Sequence, residues 1–92
     1  MDDPEVRAKA RADALAARVR ALVPDAVVVD VRQDTSWRVR VNLTGPHDDA
    51  AAARVVETLE GAGLVLLPRV PGPAGDVVER VANGELLEVV ER

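Results

Sequence analysis

Two stretches of alternating apolar and polar residues constrain the fold of this chain more than any other feature. Valines occupy every second position from 27 to 31, and apolar residues alternate with polar ones over residues 37–43. Alternation with a period of two places successive side chains on opposite faces of a β-strand. Because only a short polar segment at residues 33–36 separates the two stretches, they predict an antiparallel hairpin.

The apolar residues of this hairpin also predict its register. Pairing Val31 with Trp37 keeps every apolar side chain on one face and sets Asp30 opposite Arg38. A shift of two residues would bring two arginines opposite each other, and such a like-charge contact is destabilising. We therefore expect the first register, with Trp37 on the apolar face and with Arg38 and Arg40 on the opposite, outer face.

Two further segments have the spacing of amphipathic helices. Residues 4–23 begin with a proline and an acidic residue, and their apolar side chains cluster along one side. A second helix begins near Asp48 and Asp49, whose carboxylates suit the positive end of the helix dipole, and Gly61 or Gly63 ends it. Both helices have an apolar side that requires burial.

The C-terminal third predicts at least one more strand. Residues 64–67 form an uninterrupted apolar run closed by a proline, which is typical of a short buried strand. After a loop at residues 69–75, we favour a short helix followed by a strand over residues 86–90. The alternative is a hairpin that turns at Asn83 and Gly84, a dipeptide typical of a two-residue β-turn.

Together these elements predict one α+β domain over residues 1–92, in the order α-β-β-α-β-(α)-β. We expect a two-layer sandwich: two helices, or three, cover one face of a mostly antiparallel sheet of three or four strands. The core must consist of Val, Ala and Leu, since the chain has neither Phe nor Tyr and only one Trp. Domains below roughly 70–80 residues, which are not much shorter than this one, often need a disulfide, a bound metal or a partner chain to be stable. We therefore expect a homo-oligomer.

The composition also bears on location and chemistry. The chain has no Cys and one His, and its first residues are acidic, unlike a signal peptide. No apolar run approaches the ~20 residues that a membrane span requires. We expect a cytoplasmic protein that makes no membrane contact. Arginine outnumbers lysine eleven to one, which is typical of a GC-rich genome.

No arrangement of residues in the sequence indicates catalysis, a metal or a cofactor. His47 is the single imidazole, and we interpret it as a solvent-facing residue at a helix start. Ser36 has no neighbouring His or Lys that would activate it as a nucleophile. The glycines of residues 61–63 follow a helix and precede a strand, the reverse of a dinucleotide-binding turn. The GxxG of residues 72–75 lacks the helical context of a KH domain. We expect no enzymatic activity.

The sequence instead favours a protein-interaction or assembly subunit, an adaptor or structural component that associates with itself or with a larger complex through strand edges. The strand at 37–43 is expected to be an outer one. The expected contact residues lie on this strand, on the final strand and on an arginine ridge of the first helix: Trp37, Arg38, Arg40, Leu86, Val89, Arg7, Arg11 and Arg18.

An alternative is a small nucleic-acid-binding regulator that uses Arg38, Arg40 and the arginines of the first helix. The net charge of −4 disfavours this function, because nucleic-acid-binding domains usually carry a basic surface. A sheet face that stacks bases normally supplies aromatic side chains, whereas Trp37 is expected on the other face. The alternative predicts an affinity for nucleic acid that falls steeply with salt.

Overall fold

The computed structural model describes residues 3–33, 36–43, 48–68, 70, 72–73 and 75–92. The elements within these residues are, in order, α1 (Pro4–Leu22), β1 (Ala26–Gln33), β2 (Ser36–Leu43), α2 (Asp49–Gly61), β3 (Leu64–Leu67), α3 (Val77–Ala82) and β4 (Leu87–Glu91). The chain is a compact α+β fold, and the predicted order of elements is confirmed. In the C-terminal segment the favoured reading, a short helix followed by a strand, is the observed one.

The four strands form one antiparallel sheet in the order β1-β2-β4-β3. The central strands are β2 and β4, and the edge strands are β1 and β3. The prediction that strand 37–43 is an outer strand is therefore wrong, and the final strand is not an edge either. Both have hydrogen-bonded neighbours on each side. The sequence pattern of β2 could not reveal this, because its second neighbour, β4, comes from the far end of the chain.

The predicted register of the hairpin is wrong by one residue. Gln33 pairs with Ser36 and Arg32 pairs with Trp37, so Val31 lies opposite Arg38 instead of opposite Trp37. Only two residues, outside the described part of the chain, separate the last pair. A shift of one residue turns every side chain of a strand to the other face of the sheet.

This register places polar residues of β1 on the face that packs against the helices, which we call the inner face. Asp30 and Arg32 share it with Val28, while the apolar side chains of β2 lie on the same side. Partners from α1 make this arrangement possible. Lys9 Nζ lies 2.8 Å from a carboxylate oxygen of Asp30, and the Arg32 guanidinium lies 2.8 Å from Glu5. The expected pairing of Asp30 with Arg38 is thus replaced by a pairing with Lys9.

The core lies between the inner face and the helices α1 and α2, and α3 packs against α2. Among the described residues, the core contains only Val, Leu and Ala, as the composition predicts. The buried side chains are Ala12, Ala16, Val19, Val23, Val28, Val39, Val41, Leu43, Ala52, Val55, Val56, Leu59, Leu64, Leu66, Val81, Leu87 and Val89. Trp37 is half-buried and packs against the margin of this cluster.

Local signals fix the ends of the second helix. Asp48 is the N-cap of α2, and its side chain accepts a hydrogen bond from the amide of Ala51 at 2.6 Å. The helix ends at Gly61, and Gly63 then turns the chain into β3 with a φ of 83°, a value that suits glycine. His47, interpreted above as a solvent-facing residue, lies outside the described residues. Among the helices that the structure describes, none combines the length and apolar character needed to cross a bilayer.

Candidate protein-interaction face

The strand residues that point away from α1 and α2 form the second face of the sheet, which we call the outer face. Alternation along the four strands, together with the burial of their neighbours in the core, assigns eleven residues with described side chains to it. They are Val27, Val29, Val31, Ser36, Arg38, Arg40, Asn42, Val65, Leu67, Glu88 and Val90. Six of the eleven are apolar, and none belongs to the buried core.

The centre of the outer face is ionic. Arg38 Nη1 donates to both carboxylate oxygens of Glu88, at 2.9 and 3.3 Å. Arg40 lies directly opposite Glu88 in the pairing of β2 with β4. The valines of β1 flank these charges on one side, and Val65 and Leu67 of β3 flank them on the other. A polar centre is thus bordered by apolar side chains along both edge strands.

The structure does not bring the predicted contact residues of the strands together on one surface. Arg38 and Arg40 lie on the outer face, as their alternation predicts, while Trp37 lies on the inner face. Leu86 immediately precedes β4 and is half-buried. Val89, expected at a contact surface, is instead part of the core and 2% exposed, so it offers no surface to a partner. The sequence pattern missed Val27, Val29 and Val31, since the expected register had buried them.

Trp37 contacts the first helix. The Lys9 ammonium lies 4.4 Å from the centroid of the indole ring, a distance that favours a cation–π interaction. The indole nitrogen Nε1 is buried and has no hydrogen-bond partner in the structure. Trp37 therefore anchors α1 on the sheet instead of presenting its ring on the outer face.

The arginine ridge of α1 lies away from the outer face. Arg7, Arg11 and Arg18 are exposed. The Arg18 guanidinium donates a hydrogen bond to the carbonyl oxygen of Ala62, which follows the last turn of α2. This contact joins the two helices, so at least one residue of the ridge has a structural role.

A cleft of about 610 Å³ lies between the N-terminal half of α1 and the ends of β2 and β4. Its lining includes Ala8, Arg11, Leu15, Trp37 and Glu91. The volume is within the usual range of small-ligand sites. The lining is mostly apolar, with two arginines, two glutamates and the hydroxyl of Ser36, and no histidine or lysine lines it that could activate this hydroxyl.

Asp30, the carboxyl group whose pKa is shifted in the described part of the chain, lies under α1. The hydrogen bond from Lys9 lowers the pKa of Asp30, and the hydrogen bonds to Asp13 and Asp30 raise the pKa of Lys9. These groups are ion pairs that hold a helix on a strand. In the part of the chain that the structure describes, no three His, Cys, Asp or Glu side chains are grouped closely enough to hold a metal ion.

Comparison of the chain with models of known protein families, with curated proteins and with solved structures finds no match. The chain's own surfaces are therefore the basis on which its function is inferred. Among the described residues, five large apolar side chains are exposed, and three of them, Val27, Val31 and Leu67, lie on the outer face beside its charged centre.

Proposed function

We propose that this chain is a non-enzymatic protein-interaction and assembly subunit that associates with itself through the outer face of its sheet. The exposure of apolar side chains on that face carries the proposal. Val27 is 37% exposed, Val31 is 38% exposed and Leu67 is 43% exposed. The core of this domain consists of small aliphatic side chains. The apolar side chains that remain exposed on one face of the sheet form a surface that a partner can cover.

The sheet edges support self-association less well than the outer face does. On β1, the carbonyl oxygen of Val28 accepts a hydrogen bond from Arg20 at 3.2 Å. Two inward-pointing charged residues of the same strand, Asp30 and Arg32, are bound to α1. The other edge strand, β3, has four residues. Short edges and inward-pointing charges are features that oppose the addition of a further strand. Association through the face thus replaces the association through edges that the sequence suggested.

The nucleic-acid alternative has less support. Arg38, which it would use to contact phosphates, already binds Glu88 on the same face. The outer face has no aromatic side chain on which a base would stack, because Trp37 lies on the inner face. The experiment for this alternative is a titration with labelled DNA and RNA at low salt, in which we expect no binding.

Self-association is tested by measuring solution mass as a function of protein concentration. We expect the mass of the wild-type chain to rise with concentration, and the variant Val31→Glu to stay monomeric because it places a charge among apolar side chains of the outer face. The matched control is Val6→Glu. Val6 is 65% exposed on α1, outside the outer face, so this variant should associate as the wild type does.

Two results would contradict the proposal. One is a wild-type chain that remains monomeric across about 1 µM to 1 mM, concentrations that correspond to binding free energies of about −8 to −4 kcal/mol. The other is an equal loss of association in Val6→Glu and Val31→Glu, which would place the interface elsewhere or reflect added charge alone. Circular dichroism of both variants establishes that they remain folded.

A further inference from the structure

One row of side chains crosses the whole outer face. Val29 pairs with Arg40, Arg40 pairs with Glu88, and Glu88 pairs with Leu67. From β1 to β3 the row is therefore apolar, positive, negative and apolar. Reversing its direction exchanges the two charges and leaves the apolar ends in place, so the row is complementary to its own reversed copy.

A symmetric pair of stacked sheets has its twofold axis in the plane between them. If the axis runs along the strands, between β2 and β4, each Arg40 faces Glu88 of the second copy and each Val29 faces Leu67 of the second copy. If the axis runs across the strands at this row, Arg40 faces Arg40 and Glu88 faces Glu88. Like charges placed against each other across an interface cost several kcal/mol.

We infer that the partner of the outer face is a second copy of this chain, stacked on it with a twofold axis parallel to the strands. The inference rests on the proposed function, and it adds which residues meet. The strands of the two sheets then run in nearly the same direction, which is the usual geometry of aligned sheet packing. The result is an eight-stranded sandwich with the α1 and α2 layers on its two outer sides.

The size of the outer face indicates a weak dimer. Four strands spaced about 4.8 Å apart, with three rows of side chains, give a face of about 400 Å² in plan. This is smaller than the roughly 800 Å² per partner that a stable complex buries. Because desolvation offsets much of the attraction of a buried ion pair, Arg40 and Glu88 set the orientation more than the affinity. Association should therefore depend on concentration.

Chemical cross-linking tests the orientation directly. The chain has no cysteine, so the variants Val29→Cys and Leu67→Cys each carry a single reactive thiol. Stacked sheets lie about 10 Å apart, and facing thiols point toward each other across this gap, so a short bismaleimide that spans no more than about 10 Å joins facing positions but not positions at opposite edges of the face. We expect a cross-linked dimer when the two variants are mixed. We expect no cross-linked dimer when either variant is treated alone. The control is Ala17→Cys, on the exposed side of α1, which reports random collisions.

The outcomes separate this inference from the proposed function. Cross-linking of Val29→Cys with itself would show that the axis runs across the strands, which overturns the orientation and leaves association through the outer face intact. Cross-linking in the mixture no greater than that of the Ala17→Cys control would overturn both, because the outer face would not be an interface. The solution mass of each variant, measured without the cross-linker, establishes whether dimers are present.

Discussion

Lys9 donates a hydrogen bond from Nζ to a carboxylate oxygen of Asp30 at 2.8 Å, and this contact joins the first helix to an edge strand. The side chain of Asp30 is 16% exposed and lies on the inner face of the sheet. An unpaired carboxylate would be costly there. The same ammonium lies 2.6 Å from Asp13 and above the ring of Trp37. The single lysine of the chain thus satisfies a half-buried acid and covers the single aromatic ring.

The first prediction concerns the dependence of stability on pH. The hydrogen bond from Lys9 lowers the pKa of Asp30 below its ordinary value of 3.8. The ionised carboxylate therefore stabilises the folded state above that ordinary value, and this contribution is lost as the pH falls through the lower pKa of the folded protein. We expect Asp30→Asn to lower the free energy of unfolding at pH 7, and to make it less sensitive to acid than that of the wild type.

Urea denaturation at pH 7 and at several values below pH 4 measures this difference. The control is Glu57→Gln, at an exposed position of α2, which should keep the acid sensitivity of the wild type. Identical pH dependence of unfolding in Asp30→Asn and in the wild type would show that the pair with Lys9 does not contribute to stability.

The second prediction concerns Trp37. Because the ring is half-buried between the sheet and α1, Trp37→Ala should lower the free energy of unfolding by about 2 kcal/mol, less than the loss typical of a fully buried aromatic residue. The self-association should not change, since Trp37 lies on the inner face. Thermal unfolding followed by circular dichroism, with solution mass measured in parallel, tests both parts. Trp37→Phe is the control that keeps a ring beside Lys9 and should lose less stability.

A fall in association without a fall in stability of Trp37→Ala would contradict this assignment. It would place the indole at the interface, where the sequence alone allowed it to be.

The elements of this fold could be predicted because their signals are local. The alternating residues of β2, the acidic N-cap of α2 and the apolar run of β3 each lie within one element. The register of the hairpin could not be predicted in this way. Asp30 and Arg32 look like outward-facing residues in the sequence, and they occupy the inner face because Lys9 and Glu5, 21 or more residues earlier, neutralise them there.

The residues that make up the outer face also depended on the register of the hairpin. The positions of Arg38 and Arg40 on this face could be predicted, since apolar and polar residues alternate strictly along β2. Val29 and its neighbours on β1 became members only through the one-residue shift in register. Glu88 joined them because β4 inserts between β2 and β3, and such a long-range pairing leaves no signal in the local pattern.

The third prediction uses charge reversal. Arg40→Glu places a carboxylate against Glu88 of the second copy, and Glu88→Arg places two guanidinium groups together. Each variant alone should raise the dissociation constant of the dimer by at least about tenfold, equivalent to about 1.4 kcal/mol or more. In an equimolar mixture, each reversed charge faces an opposite one, and the heterodimer should form with an affinity close to that of the wild type.

Sedimentation equilibrium of the two variants, alone and mixed, measures these constants. If the mixture associates no better than the separate variants, Arg40 and Glu88 do not meet across the interface. Circular dichroism is needed for Glu88→Arg in particular, because this change also removes the ion pair with Arg38 within the chain.

The last prediction concerns the protection of the β1 edge. Arg20 donates to the outward-facing carbonyl oxygen of Val28 and also lies 3.8 Å from Asp30. Arg20→Ala should therefore expose a valine-rich edge strand to pairing with other chains and cause slow growth of species larger than a dimer.

Static light scattering during prolonged incubation measures this growth. The control is Arg54→Ala, at an exposed position of α2, which removes a positive charge without uncovering an edge. Equal behaviour of the two variants would mean that Arg20 does not protect the edge. Growth in Arg20→Ala alone would show that Arg20 blocks the β1 edge in the native chain.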